Sequence, residues 1–301
     1  MAINHSRELA TPRVLGTRQR SVWRLGSLRL VGLSLAAAAL AVVWVLPLAW
    51  VLMSTFKGQF ELIGPEARFL PNALDLANWR ALFDPNNRAV NIVVASMNSL
   101  IVALVSTAGA LFTSSLAGYA FARLNFPGKG PLFVVLLATM MIPFEVILVP
   151  LFIQFDRFNL LDSYAALVLP HVVSVFGIFL MRQFMQGIPR DLEDAARMDG
   201  ASVWQVYFQI VLPLTRPALA TLGVFVFLGS WNDFLWPLIV VSSPDRQTLP
   251  LALITFRSAY GGMNYGTVLA SVVLAVAPPL LFFLFAQRLV VQSISRSGLK
   301  G

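Results

Sequence analysis

Two carboxylates lie inside stretches that are otherwise apolar. Glu145 follows Pro143 in a run of Leu, Val, Ile and Met, and Asp233 lies between Trp231 and Pro237. A carboxylate in apolar surroundings is costly unless it faces water, a partner or a polar solute. Each is therefore a candidate for contact with solute hydroxyl groups. For Asp233, the sequence favours the alternative, a structural polar cluster that holds the helix kink expected at Pro237.

The most densely charged stretch covers residues 188–202. Asp191 suits the first turn of a helix, because an acid there complements the positive end of the helix dipole. Gly200 stands where a helix of about two to three turns needs a left-handed terminating residue. Ser202 with Gln205 predicts a capping box that opens a second helix. The sequence thus predicts a short charged helix, a glycine elbow and another helix, a form suited to binding by another protein.

Several kinds of chemistry are absent from the sequence. There is no Cys, and His occurs only as His5 and His171, so a thiolate or histidine metal site is not expected. His171, alone in an apolar segment, is interpreted as a hydrogen-bonded core residue. The run Gly128-Lys129-Gly130 lacks the upstream glycine spacing and the hydroxyl of a phosphate-binding P-loop. No nucleophile-elbow or zinc-protease motif occurs. We expect no enzyme activity and no cofactor bound by this chain.

Composition defines the broad class. The 301 residues are 57% hydrophobic and only 12% charged, which is too apolar for an ordinary soluble domain. Apolar windows long enough to cross a bilayer recur along the chain. The net charge of +8 is not gathered on one basic element, so nucleic acid is not an expected partner. The predicted fold class is an all-α integral membrane protein with six transmembrane helices, at about residues 30–53, 92–123, 132–153, 165–184, 218–241 and 266–286.

The distribution of basic residues predicts the topology. Of the 22 Lys and Arg residues, fifteen lie on the side of the amino terminus and seven on the opposite side. Because basic loops stay in the cytoplasm, both termini and the loop 187–217 are predicted to be cytoplasmic. Residues 1–28 are interpreted as a cytoplasmic tail and residues 29–301 as the transmembrane domain. Pro143 and Pro150 predict a broken or kinked third span.

The charged stretch and the residues that follow it resemble a motif of a known protein family. Asp194-Ala195-Ala196, Asp199-Gly200-Ala201 and then Ile210-x-Leu212-Pro213 resemble the EAA loop of ABC-importer permeases, with Asp194 where that family usually has Glu. The flanking sequence is similar to the carbohydrate branch, specifically the maltose-type second permease. Thr55-Phe56-Lys57 and Asn78-Trp79 match a pattern of that branch in the following external loop.

The resemblance implies a type I ABC-importer permease fold and an ATP-driven sugar importer. It implies a coupling helix at 191–200 that docks on a cytoplasmic ATPase. The residues it assigns to this coupling are Glu193, Asp194, Ala195, Ala196, Asp199, Gly200 and Ala201. The implied partners are a second, different permease, two copies of a P-loop ATPase that bind ATP and Mg²⁺, and an extracytoplasmic solute-binding protein. The implied location is the cell (inner) membrane of a bacterium or archaeon.

Sugar recognition requires planar hydrogen-bonding groups and aromatic faces, because sugar rings have hydroxyl edges and apolar C–H faces. The candidate substrate-pathway residues are Asn98, Tyr119, Glu145, Trp231, Asn232 and Asp233. Any single aromatic residue among them is more commonly a packing residue. The spans contain no dense cluster of basic residues that could bind a phosphate group, so the sequence favours a neutral sugar as the substrate. The alternative function is an ion-gradient-driven secondary transporter, which would have only Glu145 and Asp233 as coupling carboxylates.

Overall fold

The structure is a computed structural model that describes residues 19–65, 68–84, 91–259 and 264–297. Within these residues the regular secondary structure is helical and contains no strand. The α-helices are α1 (Gln19–Ser54), α2 (Gln59–Ile63), α3 (Ala77–Leu82), α4 (Ile92–Arg123), α5 (Lys129–Thr139), α6 (Phe144–Arg157), α7 (Tyr164–Val168), α8 (Val175–Gln186), α9 (Asp191–Met198), α10 (Val203–Gln205), α11 (Leu212–Leu214), α12 (Arg216–Trp231), α13 (Leu235–Val240), α14 (Leu249–Ala259) and α15 (Tyr265–Ser297). A π-helical segment, Val206–Val211, joins α10 to α11, and short 3₁₀ turns occupy Leu169–His171 and Pro244–Arg246.

Contacts divide the chain into two units, residues 1–53 and 54–301. The first unit contains helix α1, which carries the first predicted span and includes Pro47. The predicted boundary between tail and span, at residues 28 and 29, falls inside this continuous helix. No proline interrupts residues 19–46, so the helix runs through the boundary without a break. Residues 1–18 of the predicted tail lie outside the described residues.

The second unit contains both straight and broken apolar helices. Among the described residues of the whole chain, three helices are long and apolar enough to cross a membrane, or up to six if each bent pair forms one span. The pairs bend by 98° between α5 and α6, by 40° before α8, and by 74° before α12. Pro143 caps the start of α6, whereas Pro150 is accommodated within that helix. The predicted break in the third span is therefore present at Pro143 alone.

The predicted fifth span, 218–241, is not one helix. Helix α12 ends at Trp231, where the Asn232 side chain donates to the Leu228 carbonyl at 2.9 Å. Helix α13 then starts after Asp233, whose Oδ1 accepts the Trp236 backbone N–H at 3.4 Å. The Asn232 side chain thus adds a second bond to a carbonyl that already accepts the Asn232 N–H, and Asp233 pairs one of the N–H groups that are left free at the start of α13.

Helix α4 is the central element of the second unit. It packs against α8 and α12, and its buried face is lined mainly by Ala, Ser, Thr and Gly. A Cβ atom at Gly118 would lie 2.6 Å from Met181 Cβ, and one at Gly177 of α8 would collide with the Ser114 hydroxyl. Close approach of this kind is the normal packing of helices in lipid, where small residues let backbones meet. The sequence prediction of a buried, small-residue helix here is consistent with this arrangement.

The loop between α1 and α4 is held by the Asn-Trp pair that the sequence singled out. Asn78 Nδ2 donates to the carbonyls of Thr55 and Lys57, each at 2.9 Å, and Trp79 Nε1 donates to the Thr55 hydroxyl at 3.1 Å. The Thr267 hydroxyl donates to Asn78 Oδ1 at 3.4 Å, which ties the loop to α15. These contacts give the Asn-Trp pair an anchoring role.

Candidate functional site

The charged stretch forms α9 and ends in the turn that its sequence predicts. Asp199 is the C-cap, and Gly200 has a φ of 85°. The Gly200 N–H donates to the Arg197 carbonyl at 3.0 Å, and the Ala201 N–H donates to the Ala196 carbonyl at 2.9 Å. This pair of bonds is a Schellman motif, which requires a left-handed residue at the glycine position. Gly200 therefore lets the chain reverse its course while helix carbonyls remain paired.

The next helix opens with the predicted capping box. The Ser202 N–H donates to Gln205 Oε1 at 2.7 Å, and the Gln205 N–H donates to Ser202 Oγ at 3.3 Å. The π-helical segment Val206–Val211 follows, and the Tyr207 hydroxyl lies 2.7 Å from the hydroxyl of Ser115 on α4. The elbow thus leads into a segment whose buried face is attached to the central helix.

Glu193, which the resemblance includes among the coupling residues, points into this chain. Its Oε1 lies 2.7 Å from Nε of Arg123, the last residue of α4, and each side chain is only 4% exposed. Arg197 Nη2 lies 4.0 Å from the other carboxylate oxygen. Successive residues of a helix point about 100° apart, so Glu193 can face inward while Asp194 faces outward. Sequence order alone did not reveal which acid points inward.

The outer face of α9 carries the remaining acids and small residues. Asp194, Ala195 and Asp199 are exposed, whereas Ala196 and Ala201 are half-buried and pack against the core near Met181. Pro189 precedes the N-cap, Arg190, so the first turn begins at Asp191 with three acids at the positive end of the helix. Of the predicted coupling residues, Asp194, Ala195, Asp199 and Gly200 therefore form the accessible part.

Exposed apolar side chains border this acidic face. Met198 is 88% exposed and Trp204 is 62% exposed, and Leu192, Val203 and Phe208 are also exposed. The Trp204 and Phe208 rings stack with centroids 6.1 Å apart. Large exposed apolar side chains beside charged ones are typical of a protein-binding surface. The sequence analysis missed these residues, although Met198 interrupts the most charged stretch of the chain.

A cavity of about 430 Å³ lies between α8, α12 and the start of α6. His171 and Asp233 meet in it, with Nε2 and Oδ2 3.1 Å apart. The phenyl rings of Phe144, Phe176 and Phe225 contribute apolar walls. The other lining residues are Pro170, Val173, Ser174, Val226, Gly229 and Ser230. The cavity therefore combines ring faces with a carboxylate, an imidazole and hydroxyls, which is the chemistry needed to hold a polyhydroxylated solute.

The other predicted substrate-pathway residues do not line this cavity. Asn98, Tyr119 and Trp231 are all buried. Trp231 Nε1 donates to the Ala275 carbonyl at 3.0 Å, and Tyr119 packs its ring on that of Tyr207. Their predicted contact with a solute is therefore replaced by contact with the protein itself.

Asn98 is occupied by three hydrogen bonds. Its Nδ2 donates to the carbonyls of Asp245 and Gln247, at 2.8 and 2.9 Å, and its Oδ1 accepts the Tyr164 hydroxyl at 2.6 Å. Glu145 and Asn232, in contrast, are exposed and adjoin cavity residues in sequence. Of the six predicted residues, Asp233 lines the cavity. Glu145 directly follows the lining residue Phe144, and Asn232 directly precedes Asp233. His171 is hydrogen-bonded as predicted, but it lies at the cavity and not in the core.

The described residues contain no group of three or more His, Asp or Glu side chains that could hold a metal ion. The ionisable groups instead form pairs, Arg123 with Glu193 and His171 with Asp233.

Broken apolar helices around a polar cavity, together with a short charged helix displayed beside apolar side chains, define a membrane subunit of a solute transporter. Residues 110–296 match the family of binding-protein-dependent transport system inner membrane components, so this chain belongs to that family. Its members are the multi-pass permease components of ABC importers, in which the ATPase is a separate subunit. The predicted family, all-α fold and permease role are confirmed.

Similar proteins cover nearly the whole chain. The chain is 36% identical over 273 residues to the arabinooligosaccharides transport system permease protein AraQ of Bacillus subtilis, covering 90% of this chain and 96% of AraQ. It is 36% identical over 250 residues to the lactose transport system permease protein LacG of Rhizobium radiobacter, covering 83% of this chain and 89% of LacG. A solved bacterial ABC transporter that imports the acidic polysaccharide alginate has a chain of the same fold, with a TM-score of 0.71 and 21% identity over 92% of this chain and 99% of that one.

Proposed function

We propose that this chain is one of two different permeases of a sugar importer in the cell membrane of a bacterium or archaeon. A second permease, two copies of a P-loop ATPase and an extracytoplasmic solute-binding protein complete the assembly. The ATPases hold ATP and Mg²⁺, since this sequence has no P-loop. The relatives named for arabinooligosaccharides and lactose support a sugar as the solute.

The observation that carries this proposal is the exposed surface of α9 and the helix after it. Asp194, Ala195 and Asp199 offer acids and small side chains, and Met198 and Trp204 offer apolar ones. An ATPase that binds this surface displaces α9 when the nucleotide-binding sites of the ATPase close. The Gly200 turn passes that displacement to the following helix, and the permease opens and closes in step with ATP binding and hydrolysis.

Co-purification from native membranes in mild detergent tests the docking surface. The wild-type chain is expected to bring down a P-loop ATPase and a second multi-span protein. Met198→Asp places a charge where an apolar contact is required, and the ATPase should be lost while the second permease remains. Phe60→Asp is the matched control, because Phe60 is 89% exposed but lies on α2, outside the docking surface. Equal ATPase recovery with both variants would contradict the assignment.

We further assign the cavity at Asp233 to the solute pathway, together with Glu145 and Asn232, which adjoin the lining residues Phe144 and Asp233 in sequence. None of the residues that the structure places around this cavity is Lys or Arg. The lining groups that can carry charge are the Asp233 carboxylate and the His171 imidazole, so the cavity offers an anionic solute no permanently charged guanidinium or ammonium group, which supports a neutral sugar. Carboxylate and imidazole groups hydrogen-bond sugar hydroxyls, and the three phenyl rings offer surface for the apolar faces of the sugar.

Steric filling tests the cavity without removing Asp233. A Cβ atom added at Gly229 meets no other atom within 4 Å, so a larger side chain there enters open space and does not collide with backbone. Gly229→Leu is expected to abolish sugar uptake by reconstituted vesicles while ATPase co-purification persists. Gly229→Ala is the control and should retain most of the uptake. Full sugar uptake with Gly229→Leu would contradict the assignment of this cavity to the solute pathway.

A further inference from the structure

The buried ion pair between Arg123 and Glu193 is not part of the docking surface. Each side chain is 4% exposed, and the Nε to Oε1 distance is 2.7 Å. The same guanidinium donates from Nη2 to the Ile188 carbonyl at 2.6 Å. One side chain at the end of α4 therefore holds both the approach to α9 and α9 itself.

Around the ion pair, other contacts attach the same region to α4. Arg182 near the end of α8 donates from Nε to the Phe121 carbonyl at 3.3 Å, and the Tyr207 hydroxyl pairs with the Ser115 hydroxyl at 2.7 Å. The carboxyl-terminal part of α4 thus contacts both α8, which precedes α9 in the chain, and the π-helical segment Val206–Val211, which follows it.

The opposite end of α4 is attached to a distant loop. Asn98 donates to the carbonyls of Asp245 and Gln247, and the Ser99 hydroxyl accepts the Leu249 N–H at 2.7 Å. From Asn98 to Arg123 the helix is unbroken and about 38 Å long at 1.5 Å per residue. An unbroken helix that is attached at both ends can transmit displacement from one end to the other.

A buried ion pair makes a poor stabilising device. Removing two charges from water costs about as much as their attraction returns, and apolar pairs of similar size are often as stable. What this pair provides is a connection, because Nε of Arg123 lies 2.7 Å from Oε1 of Glu193 and the same guanidinium donates to the Ile188 carbonyl. The pair therefore fixes how α9 sits on the end of α4 more than it contributes to folding.

We propose that Glu193 is a positioning residue that couples α9 to α4, so that displacement of α9 by the ATPase moves α4 and its attached loop. This inference rests on the proposed docking of α9 on an ATPase. It assigns to Glu193 a role distinct from that of Asp194, although the two acids are adjacent. Asp194 contacts the partner, and Glu193 connects that contact to the span.

A double-mutant cycle in the assembled, reconstituted transporter tests this role. The variants are Glu193→Gln, Arg123→Gln and the two combined, and the readout is sugar uptake per ATP hydrolysed. Each single variant is expected to lower this ratio by about tenfold, within the usual range of coupling between sites. The combined variant should transport no less sugar per ATP than the more impaired of the two single variants, because both substitutions remove the same connection. Asp156→Asn, an exposed acid on α6, is the control and should leave the ratio unchanged.

The outcomes separate this inference from the proposed function. If wild-type protein recovers no ATPase, the docking proposal fails and this inference fails with it. If Glu193→Gln no longer recovers ATPase, Glu193 serves docking itself and the positioning role is wrong. A loss of uptake and ATP hydrolysis in proportion, with an unchanged ratio, would show a purely structural role and overturn the inference. Multiplying effects of the two substitutions would also overturn it.

Discussion

Replacing Gly200 by Val tests the turn that links α9 to the rest of the permease. At a φ of 85° an L-residue costs about 1–2 kcal/mol, and a β-branched side chain is among the least tolerated. A Cβ atom at Gly200 has no neighbour within 4 Å, so side-chain collision contributes nothing to this cost. The whole effect acts on the backbone of the turn.

The strain is relieved only if the turn changes shape. The bonds from the N–H groups of Gly200 and Ala201 to the carbonyls of Arg197 and Ala196 depend on the left-handed residue. A cost of one to two kcal/mol corresponds to a roughly fivefold to thirtyfold shift away from the native turn. We therefore expect Gly200→Val to reach the membrane in normal amounts and to hydrolyse ATP while transporting about tenfold less solute per ATP.

The assay compares solute uptake and ATP hydrolysis by vesicles that contain equal amounts of each variant. Gly200→Asn should keep most of the transport, because Asn tolerates the left-handed region. Gly130→Val is the matched control, since Gly130 also has no neighbour within 4 Å of an added Cβ and does not have a positive φ. Normal coupling in Gly200→Val, or equal losses in Gly200→Val and Gly200→Asn, would refute the reasoning.

Three further predictions concern stability in detergent, measured as the melting temperature of the purified protein. Gly118→Ala should melt several degrees lower than Gly223→Ala, because the added methyl collides with α8 and overpacking costs about 1–3 kcal/mol, whereas at Gly223 the nearest atom lies 3.7 Å away; equal melting would contradict the packing. Asn98→Leu should be strongly destabilising, since each buried carbonyl left without a donor costs about 1–3 kcal/mol, whereas Asn232→Ala, on an exposed side chain, should change little. The Ser243 hydroxyl, and then the N–H groups of Ser243 and Ser242, donate to the Asp162 carboxylate and lower its pKa. The stabilisation from these bonds is complete above the pKa of the unfolded chain and is lost as the pH falls below about 4. Asp162→Asn should therefore melt at a lower temperature than wild type at pH 7, and the difference should shrink in acid.

Local sequence predicted the local features of the charged stretch. The helix predicted at 191–200 is present as Asp191–Met198, and it, the left-handed Gly200 and the Ser202 capping box each depend on residues within a few positions of one another. Such features arise from backbone sterics and short-range hydrogen bonds, so the sequence alone specifies them.

Features that depend on distant residues were not predictable from the sequence. Glu193 turns inward because Arg123, 70 positions earlier, ends α4 beside it. Asn98 was expected to face a solute, but its partners lie 147 and 149 positions further along the chain. The type of each residue was informative, but its direction was set by packing between helices. The cavity residue His171 was likewise identified only when Asp233 was brought beside it.

The close contact of α4 with α8 limits how the two helices can move. Gly118 meets Met181, and one turn away Ser114 meets Gly177, so each contact places a glycine of one helix opposite a larger side chain of the other. A slide by one turn, about 5.4 Å, would bring Met181 against Ser114, where neither helix has a glycine. The two helices therefore keep their register and move together. The helix breaks at residues 140–143 and 232–234 lie outside this contact, so bending there would leave the register of α4 and α8 unchanged.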